Sequence, residues 1–271
     1  MDSQTHHLGF IGAGKLAGSV IRGLMRAKFC PPKQILASEP NEAVRAALQN
    51  ETGVLVTADN SEVACSAGTI FIGVKPAVVL PVLRELAGNL PNKLVISLAA
   101  GVRIAVMQQI AEARTMRAMT NTPAAICRAA TAIARGARST NEDVDLARRV
   151  FSALGVVVEV SEEQIDVVTA LSGSGPAFVY SVIEALAKGG TKMGLAPDVG
   201  LALATQTVLG AAQLASESKL SPSELRSMVV TPGGTTAAGL AAMEKLATTQ
   251  GLIAAVEAAT KRGRKMAKEN L

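Results

Sequence analysis

The chain has no tryptophan, a single tyrosine (Tyr180) and two histidines, and aromatic residues are 2% of its 271. Each shortage excludes something. Both histidines, His6 and His7, stand together at the start, so a histidine-centred active site is not expected. No His/Cys set has zinc-site spacing, and no metal is expected. Single-stranded nucleic acids stack their bases on aromatic side chains. The densest basic run, Lys261-Arg262-Gly263-Arg264-Lys265, contains none, and the net charge is only +5. That run reads as the solvated end of a C-terminal helix, where cations complement the macrodipole, and no nucleic-acid partner is expected. The three cysteines, Cys30, Cys65 and Cys127, are odd in number and lack CxxC spacing. This argues for a reducing compartment, and a cytoplasmic protein is expected. A strand pattern begins within the first ten residues, which leaves no room for a signal peptide. The apolar run 71–83 is interrupted by Lys75, Pro76 and Pro81, and no membrane-spanning segment is expected.

What is present is small and apolar. Hydrophobic residues make up 49% and charged residues 18%, as in a globular chain of one large or two ordinary domains. The first half alternates strand and helix patterns. Strands are expected at 7–11, 34–38, 54–57, 69–73, 94–98 and 115–119, with helices at 15–27 and 41–50. Segments 131–134 and 156–160 read as edge strands around a helix at 142–154. This alternation implies a mostly parallel α/β sheet. From about Ser161 no strand pattern remains, and helices are expected at 176–192, 197–218, 223–230, 237–246 and 251–270. Their starts carry capping signals: Ser174 before Pro176, Pro197-Asp198, and Ser221-Pro222-Ser223-Glu224. The boundary is therefore placed between 1–160 and 161–271, with a small-molecule site expected between the two parts.

Gly12-Ala13-Gly14-Lys15-Leu16-Ala17 lies directly between the first strand and the first helix. This is the G-x-G-x-x-A turn of a dinucleotide site in a Rossmann-like domain. The first glycine permits the tight turn, the second lets a pyrophosphate approach the backbone, and the small Ala17 lets the helix pack closely. The second strand ends in Ser38-Glu39-Pro40-Asn41. A carboxylate there can accept a bond from a ribose 2′-hydroxyl, which favours NADH. Ser38, Asn41 or Arg45 one turn on could instead hold the 2′-phosphate of NADPH, and Glu39 could equally be a solvated turn residue. Two further strand ends, Gly73-Val74-Lys75-Pro76 and Ser97-Leu98-Ala99-Ala100-Gly101, lie where open α/β sheets bind ligands.

A third signal sits among the helices. Thr231-Pro232-Gly233-Gly234-Thr235-Thr236 is a glycine-kinked polar break. Its N–H groups can converge before the next helix, where the dipole favours an anion such as a carboxylate or phosphate. On its own it could also be one helix's C-cap followed by the next one's N-cap.

Ala170-Leu171-Ser172-Gly173-Ser174-Gly175-Pro176-Ala177, the stretch 206–212, Thr231–Thr236 with Gly239, and Ala255-Val256-Glu257-Ala258-Ala259 together resemble pyrroline-5-carboxylate reductases. The 9–17 turn, Val74-Lys75-Pro76, Ala99-Ala100-Gly101 and Asn121-Thr122-Pro123 fit the same family, in order and over nearly the whole chain. The resemblance implies NADPH- or NADH-dependent reduction of the cyclic imine 1-pyrroline-5-carboxylate to L-proline, the last step of proline synthesis. It implies an NAD(P)-binding Rossmann-like domain over 1–160 and an all-helical dimerisation and substrate domain over 161–271. In this family the helical domains of two subunits interlock, and such dimers often form decamers. The resemblance assigns the substrate carboxylate to N–H groups around Gly233, Gly234, Thr235 and Thr236, with Met228 and Ala100 nearby, and places the Thr236 hydroxyl at the ring nitrogen as the catalytic group. It assigns the pyrophosphate to Gly12, Ala13, Gly14, Lys15 and Leu16, the adenosine to Ser38, Glu39 and Asn60, and the nicotinamide end to Val74, Lys75, Pro76, Ala99, Asn121 and Glu162.

Three positions depart from the family pattern. Thr120 stands where the family usually has proline, Met228 where it usually has Asp or Asn, and Lys188 where an acidic residue is common. A β-hydroxyacid dehydrogenase would place a catalytic lysine early in the helix after Ser174, yet the first lysine there is Lys188. A reductase of another cyclic imino acid and a non-catalytic NAD(P)-binding sensor remain open on sequence alone.

Overall fold

The structure is a computed structural model that describes residues 6–269. The side chains of His6 and His7, and the last expected helical residue, Asn270, lie outside the described residues. The chain forms two compact units, one running through Ser174 and resuming at Ala258, the other spanning Gly175–Glu257.

The first unit is built on eight strands: β1 His6–Ile11, β2 Ile35–Ser38, β3 Leu55–Thr57, β4 Ala67–Ile72, β5 Leu94–Ser97, β6 Arg114–Met119, β7 Ala129–Arg135 and β8 Gly155–Glu159. They form one sheet in the order β3-β2-β1-β4-β5-β6-β7-β8. All pairs are parallel except β6 with β7. The order reverses between β1 and β4, the switch point at which such sheets open a ligand crevice. Among the helices are α1 Lys15–Arg26, α2 Glu42–Thr52, α3 Asn60–Ser66, α4 Pro76–Leu86, α5 Ile104–Ile110, α6 Asn141–Ser152 and α7 Ile165–Val168. Alternate strand residues feed two cores, because successive side chains point to opposite faces. Phe10, Phe71, Ile96 and Met116 join Ile21 of α1 and Phe151 of α6 on one face. Ile11, Ile70 and Val95 join Val63, Leu83 and Met107 on the other. Both faces are covered, which is why these strands read as nearly continuous apolar runs.

Two expectations change. Segment 131–134 lies within β7, which is paired on both sides, and only β8 is the edge on this flank. Ala129, Ala132, Ile133 and Ala134 are buried there. By chain contacts the first compact unit runs on past Ser161 to Ser174. Ile165, Asp166 and Ala170 are buried, and the end of the last helix returns to them, with Gly263 so close that a Cβ on it would sit 3.6 Å from Asp166 Cβ. Finally, Ser174 does not cap a helix that begins at Pro176. A π-helical turn, Thr169–Gly173, continues α7, and the Ser174 N–H reaches back five residues to the Thr169 carbonyl at 2.8 Å. Ser174 alone separates this turn from the next helix, which begins at Gly175.

The second unit is helical: α8 Gly175–Lys192, α9 Pro197–Glu217, α10 Pro222–Met228 and α11 Thr235–Lys245, with the start of α12 Thr248–Glu269. Helices α8 and α9 approach through glycine, a Cβ on Gly200 falling 3.1 Å from the Ala187 carbonyl. A cleft of about 610 Å³ along them is lined by Glu184, Lys188 and Lys192 among others. Large apolar side chains stay exposed on every helix, including Leu203, Leu209, Leu214, Met228, Leu246 and Ile253. Helix α9 is long and apolar enough to cross a membrane by length and composition, with 11% of its apolar window buried. This corrects the expectation that no segment passes that test.

Candidate active site

The turn after β1 is shaped by contacts that exclude side chains. Gly12 has φ +82°, and a Cβ on it would fall 2.6 Å from Val74 Cγ1. Its N–H donates to the Ser38 carbonyl at 2.9 Å. A Cβ on Gly73 would lie 2.5 Å from Ala17 Cβ and 2.6 Å from the Gly12 carbonyl oxygen. Helix α1 therefore starts pressed against the ends of β1 and β4. Gly14 is its N-cap, with no side chain capping it, and a Cβ there would meet nothing within 4 Å. The first N–H groups of α1 face open space at the positive end of the helix dipole, a ready anion cradle.

Two recesses flank this turn. One, about 250 Å³, is lined by Ala13, Gly14, Lys15, Arg22 and Glu39 with Val44 and Leu48. The other, about 420 Å³, lies across the carboxyl ends of β4, β5 and β6. Its walls are Leu16, residues 73–76, 98–100 and 119–122, and the π-turn residues Thr169 and Gly173 with Ser174. Of the residues assigned to the nicotinamide end, Val74, Lys75, Pro76, Ala99 and Asn121 meet here, together with Ala100.

Ser38 and Asn60 are paired with each other, the buried serine hydroxyl donating to Asn60 Oδ1 at 2.7 Å. The Glu39 carboxylate folds back to accept the Asn41 N–H at 3.2 Å. Arg45 lies over the same turn, its Nη1 donating to the carbonyls of Glu39 at 2.6 Å and Pro40 at 2.8 Å. No carboxylate neutralises it among the described residues.

Glu162 is not among the residues around either recess. Its Oε1 accepts from the Ile104 N–H at 2.7 Å and from Arg117 Nη1 at 3.3 Å. Arg117 is 1% exposed, and burial pushes its pKa down while the adjoining Glu162 carboxylate pulls it back up. Asn121 works as a clip: its Nδ2 donates to the Ser172 carbonyl at 3.1 Å and its Oδ1 accepts from the Ala130 N–H at 3.2 Å. Thr120, buried, shares a 2.8 Å hydrogen bond with Thr131, so the turn that lacks the family's proline is held by a side-chain bond instead.

In the helical unit, Thr231–Gly234 is a β-turn closed by the Gly234 N–H on the Thr231 carbonyl at 3.0 Å. Pro232 and then Gly233, with φ +72°, fill its central positions as a type II turn requires. A Cβ on Gly234 would overlap the Thr231 hydroxyl. Gly234 is the N-cap of α11, and no side chain caps it. The Gly234 N–H is thus committed to the turn and is not free for a ligand; the open donors are those of Thr235 and Thr236 at the head of α11. Met228 ends α10 and is 70% exposed. Among the described residues no cluster of three His, Cys, Asp or Glu could hold a metal.

Sequence reasoning missed Thr169, Thr122 and the Thr120–Thr131 pair. The π-turn carries a Gly-Ser pattern that looks like loop, and only the i→i−5 bond shows otherwise.

Residues 162–266 match the family model described as pyrroline-5-carboxylate reductase dimerisation, and residues 7–101 match that of NADP oxidoreductase, coenzyme F420-dependent. Pyrroline-5-carboxylate reductase of Pisum sativum is 40% identical over 266 residues, 97% of each chain. That of Synechocystis sp. is 41% identical over 263 residues, covering 97% of this chain and 98% of the relative. The crystal structure of Plasmodium falciparum pyrroline carboxylate reductase with NADP bound superposes with a TM-score of 0.89 at 28% identity, over 97% of this chain and 99% of that one. With relatives at this identity along its whole length, the chain belongs to the pyrroline-5-carboxylate reductase family.

Proposed function

We infer that the protein reduces 1-pyrroline-5-carboxylate to L-proline with NADPH or NADH. The observation that carries this reading is the pairing of an uncapped glycine turn at the head of α1 with a cavity over the carboxyl ends of β4, β5 and β6, in a chain of this family. A dinucleotide fits the residues present. The open N–H groups from Gly14 onward suit a pyrophosphate, and the space beside Gly14 is unfilled. Glu39 lies beside residues 13–15 in the smaller recess and borders the adenosine end, with Arg45 bonded over the same turn, and 74–76, Ala99 and Thr120 border the nicotinamide end.

When bound, reduced nicotinamide supplies a hydride to the imine carbon. The chain's own task is to bind, orient and polarise. The N–H groups of Thr235 and Thr236, at the positive end of α11, hold the substrate carboxylate. The Thr236 hydroxyl has no protein partner among the described residues, so it is available to the ring nitrogen. It passes a proton from water, or holds a ring that enters already as the iminium; among the described side chains no histidine or buried free acid is offered for this task. Rate enhancement then comes from positioning and from electrostatics already in place.

The exposed apolar faces of α8–α12 support a homodimer through the helical unit, in line with the dimerisation family match, and decamers built from such dimers. Three free cysteines fit a reducing, cytoplasmic setting.

The test is NAD(P)H oxidation with racemic 1-pyrroline-5-carboxylate, run with each cofactor and repeated with the six-membered piperideine carboxylate. Turnover with the five-membered ring, lost at least tenfold in Thr236→Ala, supports the reading. Faster turnover of the six-membered ring makes the enzyme a reductase of a related imino acid. Bound NADPH without turnover makes it a sensor.

A further inference from the structure

Four charged side chains, Arg117 and Asp166 buried and Arg103 and Glu162 half-buried, form a cluster that the reaction does not use. Arg117 of β6 donates to Glu162 Oε1 at 3.3 Å, and the same oxygen accepts the Ile104 N–H that opens α5. Arg103 donates through Nη1 to the Glu162 carbonyl at 3.3 Å and through Nη2 to Asp166 Oδ2 at 3.0 Å. Arg117 and Asp166 are each 1% exposed. Three buried atoms of the cluster, Arg117 Nε and Nη2 and Asp166 Oδ1, have no hydrogen-bond partner among the described residues.

As a stability device this is poor. Buried ion pairs give back little of their desolvation cost, and unsatisfied buried polar atoms add to that cost. Well-packed apolar residues would hold these segments together as firmly. What apolar residues lack is direction, since hydrogen-bonded charges fix angles and register. Each arm of the cluster leads, within a few residues, to one wall of the 420 Å³ cavity. Arg117 lies on β6 just before Met119, Thr120 and Asn121. Arg103 and Ile104 follow Ala99 and Ala100. Glu162 and Asp166 precede Thr169, Gly173 and Ser174. Leu16 and residues 73–76 complete the cavity, and the cluster ties together the segments that carry its other three walls.

We propose that Arg117 is a positioning residue that, through Glu162, Arg103 and Asp166, sets the separation of the three walls around the nicotinamide end of the site. This rests on the inferred reductase activity. Arg117 itself touches neither cofactor nor substrate; it acts through the backbone segments it joins.

The experiment compares the wild-type protein with Arg117→Lys, Arg117→Met and the compensated pair Arg117→Met/Glu162→Gln, in which the glutamine still accepts from the Ile104 N–H. Three quantities are read: Tm, the Kd of 2′,5′-ADP, which occupies only the adenosine end, and kcat with KM for 1-pyrroline-5-carboxylate. The expected result for the compensated pair is a Tm near wild type, an unchanged 2′,5′-ADP Kd and a kcat lowered tenfold or more. Arg117→Lys should recover part of that kcat. Wild-type kcat in the compensated pair would overturn the proposal, because the cluster would then be packing alone. If the pair does not fold, Arg117→Lys decides: a kcat loss beyond twofold at unchanged 2′,5′-ADP Kd supports positioning, and no loss overturns it. Failure of the reductase reading would appear separately, as a wild-type protein without turnover. The same variants are then read by the fluorescence enhancement of bound NADPH, which depends on the nicotinamide pocket and needs no substrate; enhancement equal to wild type in the compensated pair, or in Arg117→Lys if the pair does not fold, overturns the proposal.

Discussion

Alanine at Gly14 and alanine at Gly73 should damage cofactor binding in two distinguishable ways. Gly14 has φ −65° and ψ −162°, which alanine adopts without strain, and its new Cβ would touch nothing. On folding, the substitution gains about 0.4–1 kcal/mol by restricting the unfolded chain. It loses a comparable amount, up to about 1 kcal/mol, because alanine is a poorer N-cap than glycine. The two nearly cancel, so Tm should stay within about 4 °C of wild type. Binding is another matter. The Cβ stands in the open space where a pyrophosphate reaches the first N–H groups of α1. Losing one charge-assisted hydrogen bond there costs about 1.5–3 kcal/mol, which is a rise in Kd of roughly 10- to 140-fold.

Gly73→Ala is the contrasting case. Its Cβ would sit 2.5 Å from Ala17 Cβ, where carbon atoms normally stay about 3.5–4.0 Å apart, so α1 must move outward by about 1 Å. Overpacking of this kind costs about 1–3 kcal/mol, a Tm loss of roughly 2–12 °C, and the displaced turn loses affinity along with it. The assays are calorimetric unfolding without ligand and NADPH titration by fluorescence. Gly14→Ala should lose affinity at constant Tm, and Gly73→Ala should lose both. A wild-type NADPH Kd in Gly14→Ala would refute the placement of the pyrophosphate at the head of α1.

Gly234→Ala should raise the KM for pyrroline-5-carboxylate by about tenfold or more while leaving the NADPH Kd unchanged, because its Cβ overlaps Thr231 Oγ1 and opens the turn that presents α11; Thr231→Ala in the same chain should restore part of the loss in steady-state assays. Arg45→Gln should raise the KM for NADPH about tenfold and that for NADH less than about twofold, since an arginine beside the ribose is the usual partner of a 2′-phosphate; equal effects on the two would remove that role. Thr120→Val should lower stability by about 1–3 kcal/mol in denaturant unfolding by leaving Thr131 Oγ1 buried and unpaired, and the double change with Thr131→Val should recover most of it.

Much of this fold can be read along the chain because both sheet faces are covered. Runs such as 70–72 and 94–96 are apolar throughout, and glycines mark the turns between them. The dinucleotide turn and the 231–236 break were legible for the same reason, since each is required by local backbone geometry. What was hidden is non-local. Nothing in the strand RTMRAM tells that Arg117 faces a carboxylate 45 positions later. The antiparallel step at β7 depends on pairing that local pattern does not encode. The Gly-Ser content of 172–175 suggests a loop, because a π-helical turn differs from a loop only in which carbonyl each N–H finds. Glu162 was given a place by the nicotinamide; its side chain joins the Arg117 cluster and is not among the residues that line the cavity.

The proposed site is made of backbone more than of side chains. At the head of α1 and at the head of α11 a glycine N-cap without a capping side chain leaves N–H donors open, and the proposal gives these to the ligands. The side chains that matter nearby act by being absent: Gly12, Gly73 and Gly234 each mark a place where a Cβ would strike a neighbour. A site of this construction tolerates changes in side-chain identity around it, so Thr120 and Met228 can depart from the family pattern without touching the donors. By the same reasoning it tolerates little change in the relative placement of its segments, because N–H groups on rigid helix starts cannot swing to follow a ligand. Side-chain chemistry is then best spent on holding segments in place, which is where the structure puts it: in the Asn121 clip, in the Thr120–Thr131 bond, and in the charges around Arg117.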